Sequence, residues 1–445
     1  MTTVQRWTGR EAHALRMALR LSVRGFAAFL GAGVRTVAAW EARGAGILPR
    51  PEMQAALDTA LNRADDEVRV RFEKLLRPQG ADDAPLHAAP PGGLLLAGDV
   101  WNGTATEALA QFVSDDHELT PDTALRLSHE WRIVEPPQVA ERRAGRRVGI
   151  RLARLAVERA EALRRMDDFL GGGDLHDLVR QELQVTLDLI REASYTELTG
   201  RSLLGAVGEL AQLAGWVASD AGLHAQAERY YLGGVSAAHA ARDEPLAGHL
   251  LSSLAYQIAN VGDPRAAVLM ATTAYAGAEE TATPTVRALL LERVAWANAR
   301  LGDAQATDKA LGAVDNIFTG RKPEDDPAWA YWLNRQEVDV MAGRCFTQLR
   351  RPEPAIELLT EAVSRYDDTH AREMALYLTW LAEAHIYGKN IEEAAVNALR
   401  ALRLSTGVTS ARSMERIQLV RRLLVPYRGN AAADEFDEEA RESAR

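Results

Sequence analysis

The sequence predicts an all-α protein with a short basic head and a long helical body. Two patterns predict this fold class. Apolar residues recur at helical spacing in the head, as at Ala14, Leu15, Ala18 and Leu19. Further along, turn signals recur about every 40 residues, as expected of stacked helix pairs. We therefore expect a small helical domain followed by a helical-repeat superhelix.

Composition excludes several classes of protein. The chain has 445 residues and a net charge of −10. Its single cysteine, Cys345, excludes an internal disulfide and a thiolate zinc site, and is typical of a reducing cytoplasm. No apolar run reaches the roughly 18 to 20 residues that a bilayer crossing needs, and the first thirty residues lack the apolar segment of an export signal. We expect a cytoplasmic protein without a membrane partner.

Charge is distributed unevenly along the chain. Residues 1–50 hold eight arginines against two glutamates, so the remaining residues carry the whole negative charge. Arginine abundance alone says little, because only four of the 52 basic residues are lysine. The asymmetry itself indicates a basic module on an acidic body.

These patterns divide the chain into four parts. Residues 1–76 form the basic helical head. Residues 77–98, rich in Pro, Gly and Ala, are expected to be a linker. Residues 99–428 form the helical body, whose repeats are clearest over 203–428. Residues 429–445 are an acidic tail that we expect to fray.

Within the head, the segment SVRGFAAFLGAGVRTVAAWE (22–41) carries a motif. Its matching features are Ser22 at a helix start, the pair Phe26-Ala27, Leu30-Gly31 at a turn, Thr36-Val37, and Trp40-Glu41. The segment resembles the helix-turn-helix of XRE-type (lambda-repressor-like) regulators. We expect Phe26 and Trp40 in the core and Glu41 as a partner of Arg16 or Arg20.

The resemblance implies that the helix over 33–42 enters the major groove of double-stranded DNA. Arg35 is then suited to a bidentate guanine contact, with Thr36 as the other hydrogen-bonding side chain. Phosphate contacts are expected from Arg20, Arg24 and Arg43. The alternative is a helical dimerisation or docking domain that does not bind DNA.

The body contains a repeat with two fixed features. Turns fall at Gly222-Leu223, Gly262-Asp263, Gly302-Asp303, Arg350-Arg351 and Lys389-Asn390. Small residues precede each turn by seven positions and follow it by five: Gly215, Ala255, Ala295, Gly343 and Ala382, then Ala227, Ala267, Thr307, Ala355 and Ala394. Small residues in both helices of a pair permit close crossing. The pattern resembles the tetratricopeptide (TPR) repeat, with a longer period. Upstream, amphipathic helices are predicted over 138–170 and 175–192.

Aromatic residues follow the small residues of the first three repeats. Trp216, Tyr256 and Trp296 occupy the position that faces the concave groove of a TPR-like superhelix, and Arg344 occupies it in the fourth repeat. Asn260 and Arg300 lie four residues after the second and third rings. Rings bordered by amides and arginines suit a peptide or small organic ligand. The open alternative is that the rings pack between repeats.

The sequence offers no catalytic constellation. His224, His239 and His249 lack metal-ligand spacing, and Cys345 is expected to be a buried small hydrophobe. We therefore predict no enzyme activity, no metal and no cofactor.

The whole chain resembles the XRE-type regulators with a C-terminal TPR-like domain that are common in Streptomyces and related actinomycetes. RPEMQAALDTAL, AQLAGWVASDAG, AERYY and WAYWL carry the resemblance. It implies a sequence-specific transcriptional regulator, homodimeric on its operator, whose body binds a peptide or small-molecule effector. Two alternatives stay open: a regulator gated by a protein partner, and a TPR-type scaffold with weak or no DNA binding.

Overall fold

The computed structural model describes residues 7–64, 68, 72, 100–115, 117–168, 172–365, 371–405 and 411–443. Over these residues the secondary structure is twenty α-helices with four strands of two residues each, which confirms the predicted all-α class. None of the described helices is both long and apolar enough to cross a membrane. The chain forms two compact units, Met1–Ala88 and Ala89–Arg445. The predicted linker, 77–98, lies outside the described residues.

Unit 1 contains four described helices: α1 (Gly9–Ala18), α2 (Val23–Leu30), α3 (Val34–Arg43) and α4 (Pro51–Arg63). Ser22 caps α2 by accepting a hydrogen bond from the Gly25 amide. Gly31 ends α2 with a φ of 67°, which an L side chain rarely adopts. The chain can therefore turn sharply into α3.

The core predictions for unit 1 are confirmed. Phe26 is fully buried and Trp40 is 3% exposed. Glu41 accepts a hydrogen bond from the Arg16 guanidinium, so Arg16 is the partner that the sequence left open. These contacts tie α1 and α2 to α3.

Unit 2 begins with helices that precede the repeats: α5 (Gly103–Ser114), α6 (Pro121–Ile133), α7 (Ile150–Asp167) and α8 (Gly172–Glu192). Five helix pairs follow: α9 (Glu197–Asp220) with α10 (His224–Ala241), α11 (Glu244–Val261) with α12 (Pro264–Ala278), α13 (Pro284–Leu301) with α14 (Ala304–Phe318), α15 (Arg335–Gln348) with α16 (Pro352–Arg365), and α17 (Ala371–Tyr387) with α18 (Ile391–Ser405). Two helices close the unit: α19 (Ala411–Leu424) and α20 (Ala431–Glu442).

All ten predicted small residues are buried. Gly215 and Gly343 lie where the two helices of a pair are in close contact. A Cβ atom built on Gly215 would lie 2.6 Å from the Tyr231 ring, and one on Gly343 would lie 2.6 Å from Leu359. Any larger side chain at these two positions would push the paired helices apart.

The helix predicted from Gln138 begins later, at Ile150. Gln138–Val139 instead forms a short parallel strand pair with Val100–Trp101. Arg146–Arg147 pairs in the same way with Ala193–Ser194. Gly145, directly before the strand Arg146–Arg147, has a φ of 101°. A Cβ atom built on Gly145 would lie 1.8 Å from the Glu192 carbonyl oxygen. This close backbone approach breaks the helical pattern that the apolar spacing predicts.

The acidic end of the chain is not frayed over its described residues, so that expectation was wrong. Residues Ala431–Glu442 form α20, capped by Asn430. Phe436 is fully buried, with Ala433 and Ala440 beside it at helical spacing. On the outer face, Asp437 pairs with Arg421 at 2.7 Å. An apolar stripe among the acids folds this segment onto the body.

Candidate functional site

The five head residues predicted to contact DNA all lie on the surface of unit 1. Arg20, Arg24, Arg35, Thr36 and Arg43 are exposed. Arg20 follows α1, Arg24 is the second residue of α2, and Arg43 ends α3. The four arginines have no ion pair among the described residues, unlike the neighbouring Arg16. Their charge is therefore available to a partner.

Arg35 and Thr36 lie in the first turn of α3. The helix has no side-chain cap, because its N-cap residue is Gly33. The Thr36 amide donates to the Gly33 carbonyl, but the Val34 and Arg35 amides have no acceptor among the described residues, and the helix dipole adds positive potential at the same end. Beside them, Val34 is 45% exposed. The N-terminal turn of α3 thus offers hydrogen-bond donors, a cation and an apolar side chain together.

Unit 2 contains a partly open cavity of about 370 Å³, which we call the larger cavity. Its walls come from the first helices of all five pairs, from α7 and α19, and from the segment that precedes α15. Leu213, Val340, Met341 and Leu376 supply apolar surface. The charged lining residues are Arg164, Asp167, Asp168, Glu292, Arg293, Glu337, Arg344, Arg372, Glu373 and Arg412.

A smaller cavity of about 260 Å³ lies next to the larger one. The two share a wall that includes Trp216, Tyr256, Arg344 and Arg412. Five of the six predicted ligand residues line this smaller cavity: Trp216, Tyr256, Asn260, Arg300 and Arg344. The repeat pattern therefore located a real internal surface.

The predicted aromatic series exists. The ring centroids of Trp216 and Tyr256 lie 6.1 Å apart, and those of Tyr256 and Trp296 lie 6.3 Å apart. Trp296, however, is fully buried and lines neither cavity. Its assignment as a ligand residue is wrong, because it packs edge-on against Trp380 with centroids 5.4 Å apart. Trp296 is core, whereas Trp216 and Tyr256 form cavity wall.

Trp296 instead positions its neighbours. Its Nε1 donates a hydrogen bond to Asn260 Oδ1 at 3.2 Å, and Asn260 Nδ2 donates to the Tyr256 carbonyl at 2.8 Å. Arg300 donates from Nε to the Ala259 carbonyl at 2.9 Å. The polar rim of the smaller cavity is thus already engaged in internal hydrogen bonds.

Arg344 lies among three aromatic rings. Its guanidinium carbon is 5.4 Å from the Tyr256 centroid, 4.8 Å from that of Trp296 and 5.2 Å from that of Trp380. Its Nη2 atom donates a hydrogen bond to the Tyr256 hydroxyl oxygen at 2.5 Å. The rings fix the guanidinium by cation–π contact and leave its charge directed at the cavities.

Sequence reasoning missed Arg293, Arg412 and Trp380. Arg293 lies one helical turn before Trp296, and its guanidinium carbon is 4.6 Å from the Tyr256 centroid. That i−3 spacing could have revealed it. Arg412 lies in α19, beyond the repeats, and is 4.9 Å from the Trp216 centroid. No repeat register could have placed it there.

The arginines change the acidity of the groups between them. Burial by itself would raise the pKa of Tyr256, but Arg344, Arg412 and Arg293 outweigh it and lower that pKa to about 7. Burial raises the pKa of Glu292 to about 8, against the attraction of Arg293. Near neutral pH the larger cavity therefore has a partly ionised phenol and a largely protonated carboxyl group.

Other polar groups give no sign of metal chemistry. No group of three or more His, Cys, Asp or Glu side chains in the described ranges could hold a metal ion. Cys345 is buried, as predicted, and burial raises the pKa of its thiol to about 12. His249 stacks on Trp329 with centroids 4.4 Å apart.

Comparison with known proteins gives no family for the chain. No family model matches it, and no curated protein is significantly similar to it.

Proposed function

We propose that the chain is a DNA-binding transcriptional regulator whose unit 1 contacts double-stranded DNA and whose unit 2 binds a small effector. One observation carries the proposal: the first turn of α3 is exposed, uncapped and cationic. Such a turn suits base edges and phosphates in a major groove.

The roles within unit 1 follow from side-chain chemistry. Arg35 has the planar fork that pairs with guanine O6 and N7, and Thr36 can hydrogen-bond to either kind of base edge. Arg20, Arg24 and Arg43 would neutralise phosphates, which sets position without reading sequence. A two-fold operator would then require a homodimer.

The cavities favour a small-molecule effector over a peptide or protein partner. The larger cavity lies within the roughly 300 to 1,000 Å³ typical of small-molecule sites. Its walls combine apolar surface with a few charged groups, as such sites usually do.

The proposal is tested by selecting genomic fragments on the purified full-length chain and measuring affinity for a selected and a random duplex. Arg35→Ala should weaken the selected duplex by about 1 to 3 kcal/mol and leave the random duplex nearly unchanged. Arg24→Ala should weaken both by a similar factor, because it removes a phosphate contact. Arg151→Ala, an exposed arginine of unit 2, is the matched control and should change neither.

Two results would contradict the proposed DNA-binding roles. Equal losses on both duplexes for Arg35→Ala would remove its role as a base contact. An unenriched fragment pool, with no measurable affinity for any duplex, would favour the scaffold alternative.

A further inference from the structure

Most arginines around the larger cavity have a carboxylate partner. Arg164 contacts Glu209 at 3.3 Å, and Arg372 contacts Asp167 at the same distance. Arg412 contacts Asp220, also at 3.3 Å. These pairs offset the cost of removing both charges from water.

Arg293 and Arg344 are different. They are 5% and 6% exposed, and over the described residues neither has a carboxylate within 4.0 Å. Among the described residues, Arg344 donates a side-chain hydrogen bond only to the phenol oxygen of Tyr256. The guanidinium of Arg293 makes no hydrogen bond to a described residue, and its Nε is buried without an acceptor. Both side chains line the larger cavity.

Glu292 does not supply the missing charge. It lines the same cavity and is 1% exposed, but its Oε1 accepts no hydrogen bond from a described residue. Since its pKa is near 8, the group is mostly neutral at physiological pH. Tyr256 can supply at most part of one negative charge between two arginines.

Two buried guanidinium groups without counter-ions cost folding free energy. Such a cost is tolerable where a bound anion completes the site. The apolar wall formed by Leu213, Met341 and Leu376 lies in the same cavity, as does the half-exposed face of Trp216. The cavity therefore joins an anion-accepting end to a flat apolar surface.

The remaining lining residues limit the charge of the ligand. Asp167, Asp168 and Glu373 lie in the same cavity lining. A polyanion that filled the cavity would be repelled by these carboxylates. One compact anionic group fits the distribution of charge better.

We propose that the larger cavity binds a small organic ligand with a single carboxylate or phosphate group, held by Arg293 and Arg344, and an apolar or aromatic portion against Trp216. This inference rests on the effector half of the proposed function and not on its DNA-binding half.

The test is thermal unfolding of the full-length chain with three probes: 2-naphthoate, 2-naphthyl phosphate and the uncharged 2-naphthamide. We expect at least one anion to raise the melting temperature in a saturable way, with 2-naphthamide without effect. Preference for 2-naphthoate or for 2-naphthyl phosphate, which share one ring system, identifies the anionic group as carboxylate or phosphate. In Arg293→Met and in Arg344→Gln the apparent affinity for that anion should fall about tenfold or more.

Unfolding without any probe provides a second measurement. Arg293→Met should melt at or above the wild-type temperature, because it removes a buried cation that has no carboxylate partner among the described residues. Arg372→Met is the matched control in the same cavity. It should melt lower, because it leaves Asp167 buried and unpaired.

Three results would overturn the inference: no stabilisation by either anion, equal stabilisation by 2-naphthamide, or a loss in Arg293→Met as large as in Arg372→Met. DNA affinity is measured separately on the same preparations. Anion binding without DNA binding would reject the proposed DNA-binding function alone, whereas DNA binding without anion binding would reject this inference alone.

Discussion

The two units use arginine in opposite ways. In unit 1, Arg24, Arg35 and Arg43 are exposed and have no ion pair among the described residues. In unit 2, Arg293 and Arg344 are buried against rings; the Arg293 guanidinium carbon lies 4.6 Å from the Tyr256 centroid. An exposed arginine keeps its hydration until a partner replaces it. A buried one has already lost its hydration and needs compensation within the fold. Arginine therefore indicates binding of an external polyanion by unit 1 and binding of a ligand inside unit 2.

The largest effect expected in unit 2 comes from its aromatic core. Trp296→Ala should lower the free energy of unfolding by about 3 to 5 kcal/mol, since the ring is fully buried. Trp216→Ala should cost clearly less, because Trp216 is only half-buried in the cavity wall. Denaturant unfolding of both variants measures the difference. Equal losses would show that the series is packing throughout and that Trp216 is not a wall residue.

A smaller effect is expected where helices approach closely. A Cβ on Gly277 would lie 1.9 Å from the Trp131 ring, so Gly277→Ala should destabilise unit 2 by about 1 to 3 kcal/mol. Gly205 is also inside a helix, but its Cβ would meet nothing within 4 Å. Gly205→Ala should therefore stabilise by up to about 1 kcal/mol. Melting temperatures that move in the same direction would contradict the packing of α6 on α12.

Part of the fold and part of the cavity wall could be predicted from the sequence. The helix-turn-helix pattern is local, so Ser22, Gly31 and the core position of Trp40 could be predicted from neighbouring residues. The repeat register likewise located Gly215, Tyr256 and the other crossing or wall positions. The register fixes which residue lies next to the small one but not how deeply it is buried. Trp296 was consequently misassigned as a ligand residue.

The pairing of the charged residues that line the larger cavity could not be predicted from the repeat pattern. Arg372 meets Asp167 across 205 positions of sequence, and Arg412 meets Asp220 from a helix outside the repeats. Which buried arginines have partners is decided by these distant contacts. A pattern of period 40 therefore cannot distinguish Arg293 from Arg412.

The last predicted effect is a pH dependence confined to unit 2. The pKa of Tyr256 is about 7 in the folded chain against 10.0 as its ordinary value. A lowered pKa stabilises the fold above the ordinary value, and that stability is lost as pH falls through the folded pKa. From pH 7 to 9, the stability of the wild type should rise relative to Tyr256→Phe, by at most about 1.4 kcal/mol per pH unit.

The comparison with Tyr256→Phe removes other titrations from this measurement. Glu292 acts in the opposite direction, because its raised pKa makes stability fall as pH rises from its ordinary value towards 8. Glu292 is present in both proteins, so its contribution largely cancels in the difference. A difference in unfolding free energy that stayed constant from pH 7 to 9 would show that the three arginines do not act on the Tyr256 hydroxyl.

The central claim is that unit 1 binds DNA through exposed arginines, and the salt dependence of affinity tests it most directly. The logarithm of the association constant should fall linearly with the logarithm of salt concentration, with a slope of about −0.9 for each phosphate neutralised. Arg24→Ala should make this slope shallower by about one unit. A slope near zero in the wild type, or the same slope in Arg24→Ala, would contradict the account.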